Sequence, residues 1–82
     1  MRPGKLLQLA RNSPGGLRFS DLCRLAEAFG FLLQRQKGSH RIYAHDGPRQ
    51  IMNFQNDRGS AKAHQVRQLL DCVERNGLIL RE

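Results

Sequence analysis

Residues 31–55 read FLLQRQKGSHRIYAHDGPRQIMNFQ, and the fold depends on how this stretch divides. FLLQRQ (31–36), HRIYAH (40–45) and QIMNFQ (50–55) are runs of strand length, separated by KGS and DGPR. Each separator carries a glycine free to take positive φ, and each is short enough to close an antiparallel hairpin. The stretch therefore reads as a three-stranded antiparallel meander.

Upstream, Ser20 precedes DLCRLAEAF, where Leu22, Leu25, Ala26 and Phe29 follow the i, i+3, i+4, i+7 spacing of one buried helical stripe. The Ser20 hydroxyl suits an N-cap, and Asp21 lies where the helix dipole favours negative charge. Gly30 suits the left-handed position that ends a helix. Residues 4–11 (GKLLQLAR) predict a shorter helix with Leu6, Leu9 and Ala10 on one side, stopped by NSPGG at 12–16. Downstream, the polar loop NDRGSAK (56–62) leads into AHQVRQLLDCVERN (63–76), a helix with an apolar stripe of Val66, Leu69, Leu70 and Val73. Gly77 ends it, and Leu78, Ile79 and Leu80 form a short tail that packs back on the core. Neither repeats nor low-complexity segments interrupt the chain, so residues 1–82 read as one α+β domain of order (α)αβββα. Helices flanking such a meander pack on one sheet face and leave the other open. This is the arrangement of double-stranded-RNA-binding domains, a likeness of fold that assigns no function by itself.

Alternation along HRIYAH sorts side chains between the two faces. Ile42 and Ala44, being apolar, are expected against the helices. Arg41, Tyr43 and His45 are then expected on the open side, with some of Arg35, Lys37 and Arg49. Arginine beside an aromatic ring can contact phosphate and stack a base. FLLQ places three apolar residues in a row and does not fix the phase of the first strand; a slip of one residue exchanges the faces.

Fourteen Lys and Arg stand against seven Asp and Glu, a net charge of +7, and eleven of the fourteen are arginine. Such a potential attracts polyanions, and arginine forks onto phosphate oxygens through two parallel hydrogen bonds. Nucleic acid is thus the favoured partner class. An 82-residue chain buries roughly 60% of its unfolded surface, so a shallow site is expected rather than a large cavity. Cys23 and Cys72 lie far apart, without a CxxC pair or a Cys/His cluster at metal-ligand spacing. They read as free thiols of a reducing compartment, and neither a metal nor a cofactor is expected. No apolar run of membrane-spanning length and no signal-peptide core occurs, which predicts a cytoplasmic protein with no membrane partner.

Three histidines are candidates for proton transfer. His45 enters the DGP turn and reads as a strand end; His64 lies in the first turn of the last helix and reads as a surface residue. His40 follows Gly38, which allows close backbone approach, and Ser39, which offers a hydroxyl, with Lys37 and Arg41 supplying positive charge. Such a cluster can hold a phosphodiester while His40 removes the proton of the adjacent ribose 2′-OH. In-line attack then gives a 2′,3′-cyclic phosphate and a 5′-OH without a metal, positive groups stabilising the phosphorane.

GSHRIYAH (38–45), KAHQVRQLLDCVERNGL (62–78) and the upstream RFSDLCRLAEAFGFLLQRQKGSH together resemble the HicA toxins of prokaryotic toxin–antitoxin modules, from about Gly4 onward. The resemblance implies a type II toxin, an mRNA interferase on a double-stranded-RNA-binding-like fold, with His40 as its single catalytic histidine after Gly38 and Ser39. The residues themselves, through charge, turn geometry and strand alternation, add expected RNA or phosphate contacts by Lys37, Gly38, Ser39, Arg41 and Tyr43. The resemblance also implies an mRNA substrate, a HicB-like antitoxin that covers the active site, and operator DNA contacted through the antitoxin complex. Many members carry a glycine-threonine stretch before the last helix where this chain has GSAKAHQVRQ. No second acid–base residue is assigned, leaving water, His45 or the recycled His40 imidazolium to protonate the leaving oxygen. Two rival functions share the pattern: a non-catalytic RNA-binding module of the same fold, and a protein that acts mainly through a complex with an acidic partner.

Overall fold

Helix α1 (Pro3–Asn12) opens a computed structural model that describes residues 1–81. Pro3 occupies its first position, where a missing N–H breaks no helical hydrogen bond. A 3₁₀ turn at Pro14–Gly16 carries the chain to helix α2 (Phe19–Ala28). The helix starts at Phe19, two residues before Asp21, where a Ser20 cap would begin it. Phe19 is drawn into the core, so Arg18 becomes the flanking residue, and its N–H donates to the Asp21 carboxylate at 3.4 Å. After α2 the chain reverses at Gly30, with φ of +95°. A Cβ there would also stand 2.9 Å from His45 Nε2, so both conformation and space require glycine.

Strands β1 (Leu32–Lys37), β2 (His40–His45) and β3 (Gln50–Gln55) form one antiparallel sheet in the order β1-β2-β3. The chain closes with helix α3 (Ala63–Asn76), ended by Gly77 in the left-handed region. This is an α+β fold with three helices and a three-stranded antiparallel sheet, consistent with the double-stranded-RNA-binding arrangement. No helix among the described residues is long and apolar enough to cross a membrane.

The core joins Leu6 and Ala10 of α1, Leu22, Leu25 and Ala26 of α2, and Val66, Leu69 and Val73 of α3 to the sheet. Every aromatic residue of the chain lies in it: Phe19, Phe29, Phe31, Tyr43 and Phe54 are all buried. Cys23 and Cys72 are free and buried, and burial pushes both thiols above their ordinary range, which keeps them unreactive.

The sheet phase is the reverse of the one expected from hydropathy. Tyr43 is 0% exposed, pairs across the sheet with Met52, and packs with its ring centroid 5.6 Å from that of Phe54. Arg41, Tyr43 and His45 therefore face the helices, while Ile42 and Ala44 look outward. The cause is that each inward polar side chain has an apolar body and a satisfied tip. The Tyr43 hydroxyl donates to Glu27 Oε2 at 2.7 Å, and Arg41 lies 5.4 Å over the Phe19 ring while its Nε donates to Gln36 Oε1. His45 Nδ1 accepts from the Gly47 N–H, and Nε2 donates to the Phe29 carbonyl. In β1 the register shifts between Leu33 and Arg35, an irregularity of the bulge kind, and Phe31, just before the strand, is the buried member of the FLLQ run.

Tyr43 is the only tyrosine and the chain has no tryptophan, so its ionisation can be followed directly. Burial, and then the hydrogen bond to the Glu27 carboxylate, raise its pKa well above the ordinary 10.0. A phenol with a raised folded pKa contributes stability that is complete below its unfolded value and is lost as pH climbs through the folded one. The tyrosinate absorbance is thus expected to stay absent past pH 10 and to appear together with loss of helical circular dichroism. A smooth titration near the ordinary value in the folded protein would contradict the buried hydroxyl.

Candidate active site

Cross-strand pairs define the open face. Leu32, Ala44 and Ile51 form one row across all three strands, Arg35, Ile42 and Asn53 a second, and Lys37, His40 and Gln55 a third. The first row is apolar, with Leu32 64% and Ile51 67% exposed. The other two rows are basic and polar except for Ile42 and lie beside the β1–β2 turn. One face of the sheet thus carries two chemistries.

Lys37 pairs with His40, so Gly38 and Ser39 are the two central residues of the turn. Gly38 takes φ of +58° at the first of these positions, as a two-residue hairpin of type II′ demands, while Ser39 has a negative φ. The space around a Cβ at Gly38 is open, so backbone conformation is what requires glycine. The turn delivers His40 to the start of β2, where its Nδ1 lies 3.0 Å from Asn53 Oδ1. An amide oxygen can only accept, so Nδ1 carries the proton, and in the neutral ring Nε2 keeps the lone pair. Arg35, Lys37, Gly38, Ser39, His40, Ile42 and Asn53 line a shallow groove of about 490 Å³ around this imidazole.

The residues singled out by sequence do not all meet here. Lys37, Gly38, Ser39 and His40 share the groove, but Arg41 points through the opposite face, as alternation along β2 requires. Tyr43 is sealed in the core, so its ring cannot stack on a base; the expectation of an open-face tyrosine is corrected on this point. His45 lies five residues along β2 from His40, about 17 Å at the usual strand rise. It faces the helices with both ring nitrogens engaged, and so is no partner for His40 in proton transfer. His64 is exposed in the first turn of α3.

Arg35 and Asn53 line the His40 groove, and the sequence reading left both out of the cluster. Arg35 was named only as one of several open-face cations. Asn53 had no local signal, because its place beside His40 follows from the β2–β3 register thirteen residues on. Another groove, of about 520 Å³ between β3 and α3, contains no histidine, and its Asp71 and Arg75 are already paired at 3.2 Å.

No curated protein and no solved structure matched the chain. A family model described as HicA toxin of bacterial toxin-antitoxin matches residues 19–74, from the first residue of α2 almost to the end of α3. That span contains the whole sheet, the Gly38–Ser39 turn and His40. The chain therefore belongs to the HicA toxin family, the toxin halves of bacterial toxin–antitoxin pairs.

Proposed function

We propose that this toxin is a metal-independent endoribonuclease that cuts mRNA in the cytoplasm, with His40 as general base. The observation that carries this reading is the His40–Asn53 contact of 3.0 Å inside a groove lined by two cations. With Nδ1–H donating to Asn53, Nε2 is the atom free to take the proton of a ribose 2′-OH. The 2′-oxygen then attacks phosphorus, the bond to the 5′-oxygen breaks, and a 2′,3′-cyclic phosphate remains. The proton carried by the imidazolium, or one from water, reaches the departing 5′-oxygen. Arg35 and Lys37 share the face of His40 and can stabilise charge on the non-bridging phosphate oxygens. Arg41, on the opposite face, has no place at that phosphate.

The toxin's antitoxin partner, of HicB type on this reading, covers the open face. The apolar Leu32–Ala44–Ile51 row offers it a dry contact beside the polar groove. Operator DNA is reached through that complex.

The test is incubation of purified protein with a defined RNA in EDTA, followed by mapping of the product ends. Ends bearing 2′,3′-cyclic phosphate support the mechanism; 3′-OH ends, or activity only with added divalent metal, refute it. Asn53→Ala should lower kcat by about 10–100-fold, the range found for groups that orient a ligating histidine through its other nitrogen. KM should change little, and Asn53→Asp, which keeps an acceptor, should recover most of the rate. Equal losses in both variants would contradict the orienting role.

A further inference from the structure

Gly38 and Ser39 line two grooves. One is the His40 groove on the open face; the other, of about 370 Å³, lies across the tip and is bounded by Arg18, Phe19, Ser20, Gln36, Arg41 and Asn56. We propose that this second groove is an RNA subsite that holds the phosphate adjoining the one at His40, with Arg41 and Arg18 as its ligands. The proposal rests on the reading of the chain as an RNA-binding protein, and it extends the site beyond the His40 face.

Three observations support it. The first is continuity: a two-residue turn separates the grooves, so a polynucleotide strand crossing the tip enters both. The second is the state of Arg41. Its guanidinium lies 5.4 Å over the Phe19 ring and its Nε is held by Gln36 Oε1 at 3.2 Å, yet no carboxylate pairs with it among the described residues. Its guanidinium also engages the Tyr43 hydroxyl and the Cys23 thiol on the core side, but a half-buried cation that lines a groove and has no carboxylate partner suits an anion brought from outside. The third is Arg18, exposed and lining the same groove, with its backbone held by a bridge to Ser60. The first turn of α2 adds little, because Asp21 already accepts the Arg18 N–H there. The guanidinium groups supply the positive charge.

Adjacency in sequence thus becomes division of labour. His40 and Arg41 are neighbours that point through opposite faces and act on successive phosphates of one strand.

Binding is measured in a His40→Ala background, so that cleavage does not enter. The probe is 5′-fluorescein oligouridylate, which forms no hairpins, read by anisotropy over a range of salt concentrations. Arg18→Ala and Arg41→Gln are each expected to weaken binding about 5–10-fold, and each should reduce the slope of log affinity against log salt by about 0.7, the value of one lost phosphate contact on a single strand. Arg41→Lys keeps the charge and should restore the slope, which separates a phosphate contact from a packing role. Arg11→Ala, at the end of α1 and outside both grooves, should match the background protein. Melting by circular dichroism confirms that each variant is folded. If Arg18→Ala and Arg41→Gln bind like the background while Lys37→Ala binds weakly, RNA is confined to the His40 face and the subsite is refuted. Absence of oligouridylate binding altogether also overturns it. A wild-type protein that cuts nothing, but whose binding depends on Arg18 and Arg41, refutes the nuclease reading and leaves the subsite standing.

Discussion

Replacing His40 by alanine should slow RNA cleavage by about 10²–10⁴-fold, the usual contribution of a positioned general base. Stability should change by no more than about 0.5 kcal/mol, because the imidazole is partly exposed and contributes one hydrogen bond rather than core packing. RNA affinity should persist, since Arg35, Lys37, Arg18 and Arg41 remain. Added imidazole should return part of the lost rate to His40→Ala, and it should do nothing for a variant damaged elsewhere. His40→Gln, which keeps a donor toward Asn53 but has no titrating nitrogen, should be as inactive as His40→Ala. Cutting by His40→Ala at the wild-type rate would transfer the chemistry to another residue.

The second large effect concerns Tyr43, and here the expected loss is of the fold. Tyr43→Ala empties the largest fully buried position and strips the Glu27 carboxylate of its donor. Removal of a buried aromatic ring costs about 3–5 kcal/mol. A domain of this size has a total stability of about 5–15 kcal/mol. The melting temperature should therefore fall by at least about 12 °C, taking about 4 °C or more per kcal/mol. Tyr43→Phe keeps the ring and should cost only about 1 kcal/mol for the hydrogen bond. Had Tyr43 been an RNA-stacking residue, the order would reverse: Tyr43→Ala would fold normally and lose RNA affinity.

Why the element order was legible and the sheet phase was not comes down to the kinds of signal involved. The helices advertise themselves through stripes such as Val66, Leu69 and Val73, and the hairpins through glycines at Gly38 and Gly47. Those cues are local. The phase of β2 is decided elsewhere, by where the Tyr43 hydroxyl and the Arg41 guanidinium find partners on α2 and β1. Hydropathy ranks Ile42 and Ala44 as the inward pair because it scores the polar tip of tyrosine and ignores its ring. In β3 the alternation points the right way, since Met52 and Phe54 are buried and Ile51 is exposed. The register between β2 and β3 carries that phase across. The candidate site follows the same division. Lys37, Gly38, Ser39 and His40 are contiguous and could be grouped by eye, whereas Asn53 becomes visible only when the register is known.

All five aromatic rings of the protein are spent inside the core. No Phe or Tyr ring stands exposed to stack on a base, a main route by which proteins read single-stranded RNA. On the proposed nuclease reading, only the His40 and His64 imidazoles and the arginine planes remain for that purpose. The grip of such a nuclease would fall on phosphate and ribose, which every message shares. A toxin that cut RNA in this way would be a general hazard, and changing codons would offer a transcript little immunity. What would then separate a cut message from a spared one is its accessibility, meaning whether the strand lies bare or is occupied by ribosomes, proteins or its own pairing. Restraint comes from the antitoxin rather than from the letters of the message.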